Sequence, residues 1–431
     1  MYRSLTKDLV TWKNKLNRKP LILWGVRQVG KTYLMQQFGK EHFENTVYIS
    51  FYNNHKVAAI FDEDYDANRI ITTLEILKHT KITKQKTLII FDEVQNTPNV
   101  VESLKYFCED APEYAIIAAG SLLGVSIHQG VSFPVGKVDE LYLHPMSFSE
   151  YLYAMGETRL AELLEDTSSP QTILSSLHET YLSHLKNYYF VGGMPEAVKT
   201  FAITQDYDKV RAVQNSIISQ YEGDFGKHVA AKELPRLRLV WHSIPVQLAK
   251  ENKKFFFGQV KTGGRLREFE IAIQWLCDAG IVHKVNKVTK PAVPLKAYTQ
   301  FSDFKLYLVD IGLLGALSEL DKDSIISGNE IFVEFKGALA EQFVLQELVA
   351  TTDYHLFYYS GEKSTYEMDF LFQQESKVIP LEVKAEHNVK SKSLKVFFDK
   401  FNPPYAVRTS TLRYEKQNWL TNFPLWQISW V

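Results

Sequence analysis

A four-residue apolar run, Leu21-Ile22-Leu23-Trp24, leads directly into Gly25-Val26-Arg27-Gln28-Val29-Gly30-Lys31-Thr32, and helical spacing follows from Tyr33 to Phe38. Strand, glycine loop and helix start, in that order, leave few folds open. Gly25 and Gly30 permit backbone shapes and close approaches that a Cβ would block. Such a loop turns several N–H groups inward, and the helix N-terminus adds the positive end of its dipole. The ligand suited to that concavity is a nucleoside triphosphate. Lys31 would reach the β- and γ-phosphates, and the Thr32 hydroxyl would ligate Mg²⁺. Residues 25–32 are therefore the expected ATP contacts, with ATP and Mg²⁺ as cofactors. The plain alternative is a glycine turn with no ligand.

A second stretch argues against that alternative. Thr87-Leu88-Ile89-Ile90-Phe91 has the continuous apolar character of a buried parallel strand and ends in Asp92-Glu93. An Asp at such a strand end serves Mg²⁺ in phosphate-loop proteins. Glu93 beside it is a candidate base for the attacking water. Further strands are expected at 46–51, at Ala115-Ile116-Ile117-Ala118-Ala119 before Gly120-Ser121, and at 141–143. Helices are expected at 4–16, 66–79 and 100–108. Alternation of this kind predicts an α/β fold with a parallel sheet covered on both faces. Ligands in such sheets bind beyond the strand C-termini, so the glycine loop, Asp92-Glu93 and Ser121 should converge.

The chain has 431 residues, too many for one ordinary core. A 45% hydrophobic fraction argues for packed domains and against disorder. The formal charge of −1 excludes a global polyanion-binding character, so any nucleic-acid surface must be local. Cys108 and Cys277 alone cannot build a disulfide framework; they read as buried free thiols in a reducing cytoplasm. Residues 1–8 lack the apolar run of a signal peptide, and no stretch is long enough to span a bilayer, so no membrane partner is expected. The twelve histidines lack zinc-type spacing.

Four segments follow from the patterning: residues 1–150 with the phosphate loop, 151–232 as a helical lid on it, 233–300 as a winged-helix-like module, and 301–431 as a C-terminal α/β domain. The third has two helices, at about 234–250 and 266–279, and then an alternating ribbon. Its Lys284, Lys287, Lys290 and Lys296 fall in a segment without Asp or Glu. They suit a phosphate-contacting wing or, equally, a solvated ribbon face. In the fourth, a helix at about 330–350 precedes strands at 355–359, 366–372, 378–384 and 405–408. Asp369 on one strand, and Glu382 and Lys384 on the next, with Glu341 from the helix, have the composition of a divalent-metal site. Ordinary alternation with charges facing water is the competing reading. Lys384, Lys390, Lys392 and Lys395 add a basic cluster.

Together these residues resemble a prokaryotic AAA-type ATPase group (AAA_14), close to the STAND and archaeal ATPases. The resemblance is carried by Gly25 to Thr32, Phe91-Asp92-Glu93-Val94-Gln95, Ala119-Gly120-Ser121, Gly136-Lys137, His144-Pro145-Met146-Ser147 and Gly192-Gly193-Met194-Pro195. The C-terminal half resembles the DUF4143 domain through Val309-Asp310-Ile311-Gly312, Gly337 to Glu341, Glu367-Met368-Asp369-Phe370 and Pro380 to Lys384. The resemblance implies that Ser121 senses the γ-phosphate, giving Lys31, Glu93 and Ser121 as catalytic residues. It also implies a PD-(D/E)xK-like C-terminal fold with Asp369, Glu382 and Lys384 at the core positions. Lys137 stands where relatives carry Arg, and Met368 where the motif has Pro. The expected function is Mg²⁺-dependent ATP hydrolysis coupled to DNA through the C-terminal half. Its rival is an ATP-dependent switch that binds a protein partner and has no nuclease activity; a homo-oligomer fits either.

Overall fold

The computed structural model describes residues 1–128, 133–250, 253–326, 333–361, 366–385 and 391–431. It forms two compact units: Tyr2–His144 with Asp278–Gly280, and Pro145–Cys277 with Ile281–Val431 and Met1.

The first unit is built on β1 (Leu21–Trp24), β2 (Asn45–Ser50), β3 (Thr87–Asp92), β4 (Ala115–Ala119) and β5 (Asp139–Tyr142). They lie in the order β2-β3-β4-β1-β5, and every pairing is parallel. All residues of β3 and β4 are buried, as two-sided cover requires of continuous apolar strands. The helices start where the sequence provides caps. Asp66 accepts the Arg69 N–H ahead of Ala67–Lys78, and Pro98 takes the first turn of Pro98–Asp110. Ile70, Ile71 and Leu74 of the first helix, and Val100, Val101, Leu104 and Phe107 of the second, recur at helical spacing and enter one core. Phe51, Phe61 and Phe91 meet there edge-to-face at 5.6 to 5.7 Å. Emptying one such position, as in Leu104→Ala, costs about 2–5 kcal/mol. Because the strands are parallel, the loops after β1, β3 and β4 leave the same edge.

The second unit contains an eight-stranded mixed sheet. Its members are β6 (Val282–Val288), β7 (Thr299–Leu308), β8 (Phe357–Ser360), β9 (Glu367–Gln374), β10 (Lys377–Val383), β11 (Ala406–Ser410), β12 (Glu415–Lys416) and β13 (Leu420–Pro424). The order is β12-β13-β11-β10-β9-β8-β6-β7. The ribbon expected within 233–300 is therefore an edge of this sheet: β6 pairs with β8, and the ribbon's second strand runs to Leu308, across the boundary expected at 300. The helices Leu234–Leu248 and Leu266–Asp278 precede it as expected.

The helices expected as a lid on the phosphate-loop domain belong to this second unit. Their anchor is Asp310, fully buried, whose Oδ2 accepts the Gly193 N–H at 2.6 Å and whose Oδ1 accepts the Leu313 N–H at 3.0 Å. Gly192 has φ +72°, and a Cβ there would lie 2.3 Å from Asp310 Oδ1. Gln346 bridges the Tyr188 hydroxyl and Asp310 at 2.9 and 3.2 Å. These contacts bind helix His178–Val191 to helices Ile311–Leu317 and Val333–Thr351. The C-terminal segment joins them: Trp426 stacks on Tyr181 at 4.2 Å. Cys108 and Cys277 are half-buried rather than buried. Among the described residues no helix is long and apolar enough to cross a membrane.

Candidate functional site

The loop between β1 and helix Lys31–His42 takes the shape its glycines allow. Gly25 has φ +148°, and a Cβ there would stand 2.5 Å from the Leu143 carbonyl oxygen. Gly30 is left-handed at φ +95°, and its carbonyl accepts the Leu34 N–H as the helix begins. Gln28 is also left-handed, a conformation that costs a non-glycine residue energy and that clusters at ligand sites. Arg3 supports the loop: its Nη1 donates to the Val29 carbonyl at 2.9 Å and its Nη2 to the His144 carbonyl.

Lys31 is buried, and its Nζ donates to the carbonyls of Gly25 and Val26 at 2.7 and 2.9 Å. Burial brings its pKa down to about 8, opposed by the charges of Glu93 and Asp92. The Thr32 hydroxyl donates to Asp92 Oδ2 at 2.6 Å. Tyr48, from β2, donates to the same oxygen at 3.0 Å. Burial, and then the Asp92 charge, push the Tyr48 phenol up to about 12, so it stays a donor. The other Asp92 oxygen accepts the Glu93 N–H at 3.0 Å.

Glu93 is left-handed at φ 59°. Its Oε2 accepts from Gln95 Nε2 at 2.6 Å and from the Ser121 hydroxyl at 3.3 Å. Gly120 makes room for this arrangement, since a Cβ there would lie 2.4 Å from Gln95 Oε1. The loops after β1, β3 and β4 thus bring Lys31, Thr32, Asp92, Glu93 and Ser121 into one network. A hydroxyl and a carboxylate in contact, beside a buried lysine at the start of a helix that follows a glycine loop, fit Mg²⁺ and a triphosphate. Tyr48 and Arg3 had no sequence signal. Tyr48 sits in an alternating strand with no motif, and Arg3 precedes an unremarkable helix. Gln95 lay within the quoted motif without an assigned role. Lys137 pairs with Glu109 at 2.8 Å.

The second set of expected residues is disposed differently. Glu341 is buried and is paired with Lys253, with Lys305 at 3.7 Å and with the Tyr307 hydroxyl at 2.9 Å. Lys305 is fully buried and also reaches Glu367 at 2.5 Å. These cations hold the Glu341 carboxyl well below its ordinary range, against the effect of burial. Asp369 accepts the Val383 N–H at 2.8 Å where β9 and β10 adjoin, and Glu382 pairs with Lys384 at 2.9 Å. Burial, then the Glu341 charge, push Asp369 up to about 8. Among the described residues no three His, Cys, Asp or Glu side chains are grouped to hold a metal ion. Glu341 and Glu382 are answered by lysines, Glu341 by Lys253 and by Lys305 of β7, while Asp369 takes a backbone N–H; with Glu341 held in that ion-pair network, the set does not fit a divalent cation. Of the basic cluster, Lys395 pairs with Asp399 at 2.7 Å, and Lys390 lies outside the described residues.

Family models match three parts of the chain: an AAA domain (AAA_14) at residues 17–152, a domain of unknown function (DUF8612) at 182–324, and another (DUF4143) at 336–428. No curated protein matches the chain. Among solved structures, it is similar to a Walker-type ATPase of Pyrococcus abyssi, at 13% identity and a TM-score of 0.45, over 73% of this chain and 94% of that one. It is also similar to the Aeropyrum pernix ORC1 protein in complex with DNA, at 15% identity and a TM-score of 0.29, over 75% and 92%. A STAND protein with a tetratricopeptide repeat sensor from Pyrococcus horikoshii matches at 11% identity and a TM-score of 0.30, over 82% and 46%. On the strength of the family models, the chain carries an AAA domain of the P-loop ATPase class followed by a DUF4143 domain.

Proposed function

We propose that the first unit binds ATP with Mg²⁺ and hydrolyses it. The observation that carries this reading is the shared Thr32–Asp92 contact at 2.6 Å beside a lysine folded onto its own loop. Bound Mg²⁺ would neutralise phosphate charge and screen it from the attacking oxygen. Thr32 and Asp92 are the residues to hold the ion, and the Tyr48 hydroxyl fixes the Asp92 carboxylate. Lys31 exchanges its two carbonyl acceptors for phosphate oxygens, and the anionic charge keeps it protonated. Glu93 orients water and takes its proton at Oε2, the oxygen that Gln95 and Ser121 steady. Two substitutions test this. Lys31→Ala should abolish binding of a fluorescent ATP analogue. Glu93→Gln should keep that binding and lose phosphate release by about 10²-fold or more, the scale of general-base catalysis. Unchanged release from the Glu93 variant would remove it from the mechanism.

A second reading concerns the ribbon of β6 and β7. Residues 281–300 carry Lys284, Lys287, Lys290 and Lys296 and no Asp or Glu, which favours contact with nucleic-acid phosphates. Binding to duplex DNA should then weaken steeply with salt. Salt-independent or absent binding would favour a protein partner for this unit.

A further inference from the structure

Beside the ribbon, the second unit holds a cavity of about 470 Å³, within the size range of small-molecule sites. Lys284, Asn286, Lys296, Phe301, Tyr354 and His355 are among its walls, and no lining residue is acidic. The cavity sits where the ribbon is irregular. Its ladder steps from Asn286 opposite Phe304 to Lys287 opposite Gln300, so residues 301–303 have no counterparts on β6. Bulges of this kind re-aim side chains beside binding sites. Phe301 lies in the bulge and is 73% exposed. Asn286 Oδ1 is buried and has no hydrogen-bond partner among the described residues, an unmade bond that a ligand donor would supply. Lys284 Nζ stands 4.4 Å over the Phe304 ring, and Lys296 is exposed at the rim.

We propose that this cavity binds a nucleotide unit: a flat base stacked on Phe301, its phosphate against Lys284 and Lys296, and a base N–H donated to Asn286 Oδ1. The combination decides the class. Lysines alone would suit any anion, but an exposed ring beside them and an unpaired amide acceptor suit a base that carries a phosphate. The proposal shares its lysines with the ribbon reading above and adds a specific seat. It is independent of ATP hydrolysis. The unit can come from a free mononucleotide or from a nucleic-acid strand.

The test is a fluorescence titration of the full chain carrying Lys31→Ala, which silences the phosphate loop, with two probes: AMP bearing a fluorescent ribose label, and a labelled eight-nucleotide oligothymidylate. At least one probe should bind. Phe301→Ala, at an exposed position where folding is insensitive, should weaken it about ten-fold, within the range for one base–aromatic stack. Lys296→Ala should reduce the salt dependence by about one phosphate contact. Binding of AMP alone assigns a free nucleotide, and binding of the oligonucleotide alone assigns a strand. The same Phe301→Ala comparison in the parent protein, with the oligonucleotide, guards against a misfolded Lys31 variant. If neither probe binds, or if both substitutions leave affinity unchanged, the proposal is wrong. Duplex binding that stays salt-dependent in the Phe301→Ala protein would then preserve the ribbon reading and remove only the cavity.

Discussion

Glu347 should be a pH-dependent weak point of the second unit, and replacing it with glutamine should remove the dependence. It is 2% exposed on helix Val333–Thr351, and its Oε2 accepts the Phe148 N–H at 3.0 Å. That N–H opens helix Phe148–Ala154, where Glu150, also buried, closes a capping box with Ser147. Burial lifts the Glu347 carboxyl from 4.5 to about 7; the Glu150 charge adds to the rise, and the Phe148 N–H opposes it. Between those values the folded chain holds a proton that the unfolded chain has released, so stability falls as pH rises from 4.5 to 7. At ~1.4 kcal/mol for each tenfold, the loss is ~3 kcal/mol. Glutamine is neutral throughout and its carbonyl keeps the Phe148 bond. Glu347→Gln should therefore match the parent at pH 4.5 and exceed it by ~3 kcal/mol at pH 8. Urea unfolding followed by tryptophan emission reads this, because Trp241, Trp275, Trp419, Trp426 and Trp430 all lie in the second unit and only Trp12 and Trp24 in the first. With a slope of ~1–3 kcal/mol per molar, the midpoint should rise by ~1–3 M at pH 8. A midpoint difference that does not change with pH, or a variant less stable than the parent at pH 8, refutes the reasoning.

Three further outcomes follow from the same geometry. Gly120→Ala places a Cβ 2.4 Å from Gln95 Oε1, so Gln95 must leave Glu93; ATP binding should persist while phosphate release falls several-fold, and equal loss of both would point to general damage. Tyr48→Phe removes a donor from Asp92, and the Mg²⁺ concentration for half-maximal phosphate release should rise by about five-fold, the worth of ~1 kcal/mol. Asp310→Ala orphans the N–H groups of Gly193 and Leu313, at about 1–3 kcal/mol each, and leaves the Gln346 amide with the Tyr188 hydroxyl alone of its two acceptors. Hydrogen exchange in peptides 188–198 and 308–317 should accelerate by more than about 10²-fold; protection within a few-fold of the parent would show that Asp310 is not the anchor.

Legibility followed the range of the interactions. The parallel sheet of the first unit could be read because β1, β3 and β4 are continuous apolar runs that end at a glycine or an acid. The convergence of Lys31, Asp92 and Ser121 then follows from strand direction alone. Tyr48 could not be read, because its role depends on β2 lying beside β3, and nothing local in Tyr48-Ile49-Ser50 fixes that neighbour. In the second unit, β12 and β13 are too short to show a period, whereas the helix Lys392–Phe401 was legible and overlooked: Leu394, Phe397, Phe398 and Phe401 recur at helical spacing and pack on one core. The ribbon was legible as a ribbon, but not as the edge of a sheet whose next strand begins about seventy residues after β6 ends.

The two sets of acidic motif residues differ in what surrounds them, and that difference bears on function. In the first unit the hydrogen bonds to the Asp92 and Glu93 side chains come, among the described residues, from neutral donors: the hydroxyls of Thr32, Tyr48 and Ser121, the Gln95 amide and a backbone N–H; Lys31 acts on them through its charge while donating to loop carbonyls. Neutral donors orient a carboxylate without locking it in an ion pair, so it remains available to a cation or a proton. In the second unit Glu341, Glu367 and Glu382 are each met by a lysine, and Asp310 is closed among backbone and amide donors at the junction of three helices. Glu341, cancelled by Lys253 and the buried Lys305, would have to lose that pairing before it could bind a metal, and breaking a buried pair costs several kcal/mol. On the proposed function, phosphoryl chemistry would fall to the first unit. In the second, the cavity beside the ribbon is lined by cations and an amide acceptor and by no acidic residue, while Asp303 of the ribbon itself is paired with Lys254 at 2.7 Å.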